Sequence, residues 1–207
     1  MKKPQHIAIA GNIGVGKTTL VQKLANHYLW KPHLEAVDDN PYLSDFYKDM
    51  AKWSFPLQIY FLNSRFNQVV EIQQSPISII QDRTIYEDAF IFAKNLNESG
   101  LLETRDYETY LALFKSMSGM IKAPDLLIYL RASIPTLVAQ IARRGRDYES
   151  SISIKYLEDL NRNYEEWIAT YTEGNLLILE TDELDYVNRP EDFEYVVERI
   201  EGRMVSV

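Results

Sequence analysis

The sequence predicts an α/β domain of three layers, in which helices cover both faces of a five-stranded parallel sheet. Short apolar runs rich in β-branched residues alternate with longer helical stretches, and strands joined by helical crossovers run parallel. A glycine-rich turn separates the first strand from the first helix. The 207 residues fit one domain, which we expect to span residues 1–207.

Five short runs of Ile, Leu and Val, bounded by polar or turn residues, are predicted to be the strands. In chain order they are His6–Ala10, the weaker His33–Val37, Ile77–Asp82, Leu126–Leu130 and Leu176–Leu179. Ligands bind at the carboxyl ends of parallel strands, so the residues that follow these runs are the first candidates for a site.

The helices are predicted where apolar residues recur at helical spacing and so share one face. In chain order they are Lys17–Leu29, Trp53–Ile72, Tyr86–Leu96, Asp106–Ile121, Ile134–Arg143, Ser153–Tyr171 and Glu191–Ile200. The fourth stops before Pro124, because proline disfavours helical backbone in the residue that precedes it.

The composition excludes several classes of function. Acidic residues outnumber basic ones, and the net charge of −8 repels nucleic acid and anionic membrane. No apolar run approaches the roughly 18 residues of a membrane span, and the first residues lack a signal-peptide pattern. Without cysteine there is no disulfide and no thiolate metal site. We therefore expect a soluble, cytoplasmic protein.

The strongest motif is GNIGVGKT at residues 11–18, which matches G-x-x-x-x-G-K-[ST] between a strand and a helix. Its glycines let backbone N–H groups curl around phosphate oxygens, and the following helix adds its positive dipole. Lysine then reaches the β- and γ-phosphates and threonine ligates Mg²⁺. The loop predicts an ATP–Mg²⁺ site formed by Gly11, Asn12, Ile13, Gly14, Val15, Gly16, Lys17, Thr18 and Thr19.

GTPases, motors and small-molecule kinases share this loop. The type of reaction therefore has to be inferred from the residues that would face the phosphate acceptor. The Asn-Lys-x-Asp of GTPases is absent. Glu35 follows the second strand, and a carboxylate there can take the proton of an attacking hydroxyl. A monophosphate acceptor would instead need cations, and residues 34–39 contain no arginine. This favours a hydroxyl acceptor, although Glu35 as a solvated loop acid is the alternative.

The third strand ends in an acid and a base. Asp82 suits the Mg²⁺ shell, and Arg83 can neutralise transferred charge and hold the attacking oxygen near Glu35. A plain surface salt bridge between Asp82 and Arg83 is the competing interpretation.

Three arginines within residues 143–146 end a helix, where cations are favourable for structural reasons alone. An acidic enzyme that binds ATP also needs local positive charge. We therefore predict a lid at about residues 143–150 that closes over the phosphates and excludes water.

Two pairs of side chains share helix faces and could bind a nucleobase. Gln58 and Arg65 are seven residues apart, and Asp88 and Phe92 are four apart. Edge hydrogen bonds and ring stacking would need these residue types, although each alone is an ordinary surface or interface residue.

As a set, these segments resemble the deoxynucleoside kinases, a family with the P-loop kinase fold. The matching segments are GNIGVGKT at residues 11–18, LEAV around Glu35, YKDMAKWSFPLQ at Tyr47–Gln58, DRTIYEDAFIFAKNL at Asp82–Leu96, and RRGRDYES with KYLEDL within Arg143–Leu160. Asp82 stands where the family usually has glutamate, and Gln140 where many members have another lid arginine.

The resemblance implies a role for each site residue. Glu35 would be the base for the sugar 5′-hydroxyl with Arg83 beside it, and Lys17 would serve the donor phosphates. Tyr47 and Glu149 would bind the 3′-hydroxyl, Gln58 would bind the edge of the base, and Phe92 would stack on the base. Arg65 and Asp88 accompany purine and cytosine substrates rather than thymidine in the family. Arg144 and Arg146 would be the arginines of the lid.

The resulting hypothesis is ATP–Mg²⁺-dependent phosphorylation of the 5′-hydroxyl of a deoxynucleoside, with a purine favoured over cytosine. The resemblance also implies a homodimer, for which the apolar segments Trp53–Ile72 and Asp106–Ile121 are candidates. Two alternatives stay open at this point: a thymidylate-kinase-like monophosphate kinase, and a catalytically silent nucleotide-binding regulator.

Overall fold

A five-stranded, all-parallel sheet forms the middle layer of the protein. The computed structural model describes residues 5–35, 40–146 and 152–204. The strand order is β2-β3-β1-β4-β5, and all neighbouring pairs are parallel. The strands are β1 His6–Gly11, β2 Lys31–His33, β3 Ile79–Asp82, β4 Leu126–Arg131 and β5 Asn175–Glu180. The predicted fold class is confirmed.

Helices lie between successive strands along the chain, and the last helix closes the described chain after β5. They are α1 Lys17–Tyr28, α2 Leu43–Lys48, α3 Met50–Gln74, α4 Ile85–Glu87, a π-helical turn Asp88–Ala93, α5 Lys94–Glu98, α6 Thr104–Ser118, α7 Ile134–Arg144, α8 Ile154–Ala169 and α9 Pro190–Met204. Within the described part of the chain, none of them is long and apolar enough to cross a membrane.

Alternation along the strands divides the core into two halves. In β1, Ile7 and Ile9 point to one face of the sheet, and Ala8 and Ala10 to the other. The isoleucine side packs against α1, α7 and α9, and the alanine side against α3, α6, α8 and the π-helical turn. Both faces are therefore covered, which is why these strands are apolar throughout.

Two local predictions need correction. The second strand is Lys31–His33 rather than His33–Val37, so Glu35 lies in the loop beyond it. This strand is at the edge of the sheet and mostly exposed, and therefore lacks an apolar run. The short helix α2, Leu43–Lys48, was not predicted, because six residues are too few for a helical pattern to be recognised.

The other boundaries differ by a few residues. The third strand begins at Ile79 rather than at Ile77, whose side chain is 52% exposed. The predicted helix Tyr86–Leu96 is present, but its middle six residues form the π-helical turn. Such turns are frequent at functional sites, and this one carries Asp88 and Phe92.

Candidate active site

A cavity of about 550 Å³ opens at the carboxyl ends of the strands. The phosphate loop, the loop after β2, α2, α3, the π-helical turn, the end of α7 and the start of α8 all contribute to its wall. The predicted site residues that line it are Ile13, Gly14, Gly16, Lys17, Thr18, Thr19, Glu35, Tyr47, Gln58, Arg83, Asp88, Phe92, Arg144 and Arg146. Residues from distant parts of the sequence therefore surround one space.

The phosphate loop depends on glycine at two positions that face the cavity. Gly14 and Gly16 have φ angles of 88° and 96°, in the left-handed region that side chains disfavour. A Cβ on Gly14 would lie 2.7 Å from Cγ1 of Ile141, and one on Gly16 would collide with the hydroxyl of Tyr186. The glycines thus leave room for neighbouring side chains as well as giving the loop a shape that can bind an anion in the cavity.

Lys17 is buried at the start of α1. Its Nζ donates hydrogen bonds to the carbonyl oxygens of Gly11, at 2.8 Å, and Asn12, at 3.0 Å. Burial, together with the nearby charge of Arg83, lowers the pKa of Lys17 to about 8. The ammonium therefore rests on the loop's own backbone and loses its proton more readily than an exposed lysine.

Three predicted loop residues lie beneath the cavity rather than in its wall. Gly11, Asn12 and Val15 are buried. The side chain of Asn12 accepts a hydrogen bond from the N–H of Ile13 at 2.7 Å and donates to the carbonyl oxygen of Leu157 at 3.0 Å. These residues hold the loop in shape and anchor it to α8.

Glu35 faces the loop between two guanidinium groups. Its Oε1 lies 2.6 Å from Nη2 of Arg65 and 3.0 Å from Nε of Arg83. Burial by itself would raise the pKa of Glu35, but Arg83, Arg65 and Lys17 outweigh it and lower the pKa to about 2. With this low pKa the carboxylate is ionised at neutral pH. It is also accessible, because its side chain is 20% exposed and lines the cavity.

Arg83 is held in an unusual backbone conformation, with a φ of 71°. Nη1 donates a hydrogen bond to the hydroxyl of Tyr164 at 3.0 Å, and the guanidinium lies 4.4 Å from the centre of the Phe92 ring. A positive φ is energetically unfavourable for a residue other than glycine. It persists where the surrounding structure enforces it, often at functional sites. Here the contacts aim Arg83 at Glu35 and the cavity.

Thr18 and Asp82 lie side by side and have the chemistry for a magnesium ion. The hydroxyl of Thr18 donates to Oδ2 of Asp82 at 2.5 Å, and Oδ1 of Asp82 is buried with no hydrogen-bond partner among the described residues. Burial raises the pKa of Asp82, and nearby Lys17 opposes this. Hydroxyl and carboxylate oxygens are the ligands that Mg²⁺ prefers, so these residues fit the ion.

The far end of the cavity carries polar groups beside an aromatic ring. Gln58 is buried, and its Oε1 has no hydrogen-bond partner among the described residues. Burial raises the pKa of Asp88 to about 7. With the Phe92 ring, Gln58 and Asp88 present an edge that can form hydrogen bonds and a face that can stack.

Arg65 takes a position that the sequence did not predict. It is not among the residues that line the cavity, and its side chain is only 1% exposed. Nε lies 3.2 Å from Oδ2 of Asp88, while Nη2 bonds Glu35. Arg65 therefore connects two carboxylates of the cavity wall from behind.

Some predictions lie outside the described residues, and some site residues were missed. Glu149 and the second half of the predicted lid fall within residues 147–151, which are not described. Tyr156, at the start of α8, lines the cavity and was not predicted, although it lies within the matching KYLEDL segment. Phe61 also lines the cavity; it is three residues after Gln58, a helical spacing that could have revealed it.

Comparison with known proteins identifies related sequences. The family model described as "Deoxynucleoside kinase" matches residues 7–206. Deoxyadenosine/deoxycytidine kinase of Bacillus subtilis is 40% identical over 196 residues, which cover 94% of this chain and 90% of that protein. Deoxyadenosine kinase of Dictyostelium discoideum is 49% identical over 163 residues, covering 79% of this chain and 66% of that protein.

Solved structures are similar over nearly the whole chain. Deoxyadenosine kinase from M. mycoides with the products dCMP and a flexible dCDP bound has a TM-score of 0.85 and 31% sequence identity, covering 95% of this chain and 99% of that one. The same enzyme with bound dATP has a TM-score of 0.84 at the same identity and coverage.

Proposed function

Because this chain belongs to the deoxynucleoside kinase family and phosphorylates the 5′-hydroxyl of a deoxynucleoside with a nucleotide as donor, we propose that it uses ATP with Mg²⁺ and prefers a purine deoxynucleoside. One observation carries the proposal. The ionised carboxylate of Glu35 and the phosphate loop of Lys17 line the same cavity, and Arg83 lies beside Glu35.

On the donor side, Lys17 has to leave the carbonyl oxygens of Gly11 and Asn12 and turn to the β- and γ-phosphates. The glycine backbone of the loop and the N-terminus of α1 then surround the phosphate oxygens. Thr18 and the unpartnered Oδ1 of Asp82 would hold Mg²⁺. When bound, the ion neutralises charge on the phosphates. Arg144 and Arg146 would approach from the open side as the lid closes.

On the acceptor side, Glu35 orients the 5′-hydroxyl and takes its proton while the oxygen bonds to the γ-phosphorus and the bond to the β-phosphate oxygen breaks, releasing ADP. The low pKa of Glu35 makes it a weak base. This suits a loose transition state, in which the hydroxyl needs to lose its proton only late. Arg83 stabilises the charge that develops on the transferred group.

The deoxynucleoside would lie along the rest of the cavity. Tyr47 and Glu149 are proposed to bind the 3′-hydroxyl. Gln58 and Asp88 would bind the base edge, and Phe92 its face. We propose that Arg65 acts on the base indirectly, by setting the orientation and charge of Asp88.

A monophosphate acceptor is not favoured, because it would need a free cation beside Glu35. Arg65 is already paired with Glu35 and Asp88. Arg83 is paired with Glu35 and lies 3.6 Å from Glu87. An acceptor phosphate would have to displace these carboxylates and would face the charge of Glu35 itself.

The test is ADP formation from ATP with a panel of deoxynucleosides and deoxynucleoside monophosphates. We expect kcat/KM to be highest for deoxyadenosine or deoxyguanosine, lower for deoxycytidine and lowest for thymidine, with no turnover of the monophosphates. A monophosphate as the best substrate would overturn the proposal, and thymidine as the best substrate would overturn its purine preference.

Two further expectations from the sequence, a cytoplasmic location and a homodimer, stay predictions. Two exposed apolar side chains in the second candidate segment are compatible with the homodimer: Leu113 in α6 is 44% exposed and Met120, which follows α6, is 72% exposed.

A further inference from the structure

A buried polar network lies behind the cavity, and the proposed reaction does not use it. Its central members are Glu87 at the end of α4 and Tyr164 in the middle of α8, both fully buried. A carboxylate without solvent is strongly destabilising unless polar partners surround it. The contacts of Glu87 therefore indicate what the network holds together.

Glu87 connects the phosphate loop with the acceptor arginine. Its Oε1 accepts hydrogen bonds from the N–H of Gly11 at 3.2 Å and from the hydroxyl of Tyr164 at 2.7 Å. The same oxygen lies 3.6 Å from Nη1 of Arg83. Oε2 accepts from the N–H of Thr84 at 2.7 Å, which fixes the carboxylate at the start of α4. One side chain thus contacts the first residue of the donor loop and Arg83.

Tyr164 makes the same connection through a single hydroxyl. It accepts a hydrogen bond from Nη1 of Arg83 at 3.0 Å. Its one hydrogen has two acceptors within reach, Oε1 of Glu87 at 2.7 Å and the carbonyl oxygen of Gly11 at 2.8 Å. A hydroxyl donates only one hydrogen at a time, so these two acceptors compete for it.

The position of Lys17 changes how strongly the Gly11 oxygen attracts that hydrogen. With the Lys17 ammonium on one lone pair of the Gly11 carbonyl oxygen, that oxygen attracts the Tyr164 hydrogen less, which favours donation to Glu87. When Lys17 turns to phosphate, the Gly11 oxygen loses its ammonium partner and attracts the hydrogen of Tyr164. Glu87 then has one donor fewer and draws Arg83 more strongly.

We propose that Tyr164 and Glu87 are positioning residues that link occupancy of the phosphate loop to the orientation of Arg83 beside Glu35. The inference rests on the proposed function, because it assigns Arg83 to the acceptor side of the reaction. It predicts that a bound nucleoside triphosphate tightens deoxynucleoside binding and that this coupling passes through the Tyr164 hydroxyl.

Tyr164→Phe tests the link with little change of shape, and Tyr129→Phe is its matched control. The two rings stack at 5.6 Å, but the hydroxyl of Tyr129 donates to Glu165, away from the cavity. The measurements are kcat, the KM of ATP and of deoxynucleoside, and deoxynucleoside affinity by calorimetry with and without a non-hydrolysable ATP analogue.

For Tyr164→Phe we expect kcat to fall about tenfold or more while both KM values rise by no more than the coupling factor that is lost, because the lost hydrogen bonds orient Arg83, which acts in the transition state. The analogue should no longer tighten deoxynucleoside binding. Tyr129→Phe should behave as wild type in both respects. Glu87→Gln, which keeps the shape and removes the charge, should lower kcat with the same split.

Equal losses in Tyr164→Phe and Tyr129→Phe would overturn the inference, since they would indicate a general packing effect. A kcat within twofold of wild type in Tyr164→Phe, or coupling that survives there, would also overturn it. All assays are run below the unfolding temperature of each variant. A wild-type chain without deoxynucleoside kinase activity would instead refute the proposed function, so the two failures are distinguishable.

Discussion

Replacing Glu35 by glutamine removes the proposed proton acceptor and preserves the shape of the side chain. The amide has no useful basicity and cannot form the two ion pairs that Glu35 makes with Arg65 and Arg83. A positioned general base contributes about 10²- to 10⁴-fold to rate. We therefore expect Glu35→Gln to lower kcat by that factor, which corresponds to about 3 to 5 kcal/mol of barrier.

The same substitution should leave ATP binding nearly intact. Glu35 acts on the acceptor, and its influence on the donor side is through its charge, which helps to raise the pKa of Lys17. Both arginines keep a second carboxylate near them, Asp88 for Arg65 and Glu87 for Arg83. The cost to stability should therefore stay near the low end for a hydrogen bond to a charged group, about 1.5 kcal/mol.

The assay is ADP release at saturating ATP and deoxynucleoside, together with calorimetric titration of ATP. Glu166→Gln is the control, because it removes an exposed carboxylate whose ion pair among the described residues is with Lys94. Titration of Glu35 should also add no inflection to the wild-type kcat between pH 5 and 8, since Glu35, with a pKa of about 2, stays ionised throughout. A Glu35→Gln enzyme within tenfold of wild type, or one that no longer binds ATP, would refute the assignment.

Three further predictions concern the donor loop and the base. Affinity for ATP should fall about tenfold per pH unit above about 8, because Lys17 loses its proton there in the free protein, whereas bound phosphate keeps it charged. Calorimetric titration of ATP from pH 7 to 9.5 measures this affinity, and an affinity that does not change with pH would contradict the prediction. Asp88→Asn should change the ratio of kcat/KM between deoxyadenosine, deoxyguanosine and deoxycytidine by about tenfold or more with little change in the KM of ATP, because it removes the charge that pairs with Arg65. Gly16→Ala should weaken ATP binding at least about tenfold through its collision with the Tyr186 hydroxyl, whereas Gly202→Ala, where a Cβ meets nothing within 4 Å, should not.

Much of this protein follows from local patterns in the chain. The glycines and lysine of residues 11–18 predict an anion-binding turn because only that backbone leaves room for phosphate, and the turn is where it was expected. The apolar runs of β1, β3, β4 and β5 predict buried strands for an equally local reason: both faces of a parallel sheet are covered. The edge strand β2 gave no such signal, because it is mostly exposed.

Contacts between distant residues needed the folded chain. Tyr164 fits the apolar face of a predicted helix, and nothing in its neighbourhood indicates that its hydroxyl meets Gly11, 153 residues away. In the same way, Arg65 is predicted to face a base, whereas it bonds Glu35 and Asp88 from behind the cavity wall. The periodicity of apolar residues indicates which side of a helix or strand is buried, because residues at that spacing lie on the same side of the element. It does not encode which buried charges meet, because that depends on how helices and strands pack across the whole domain.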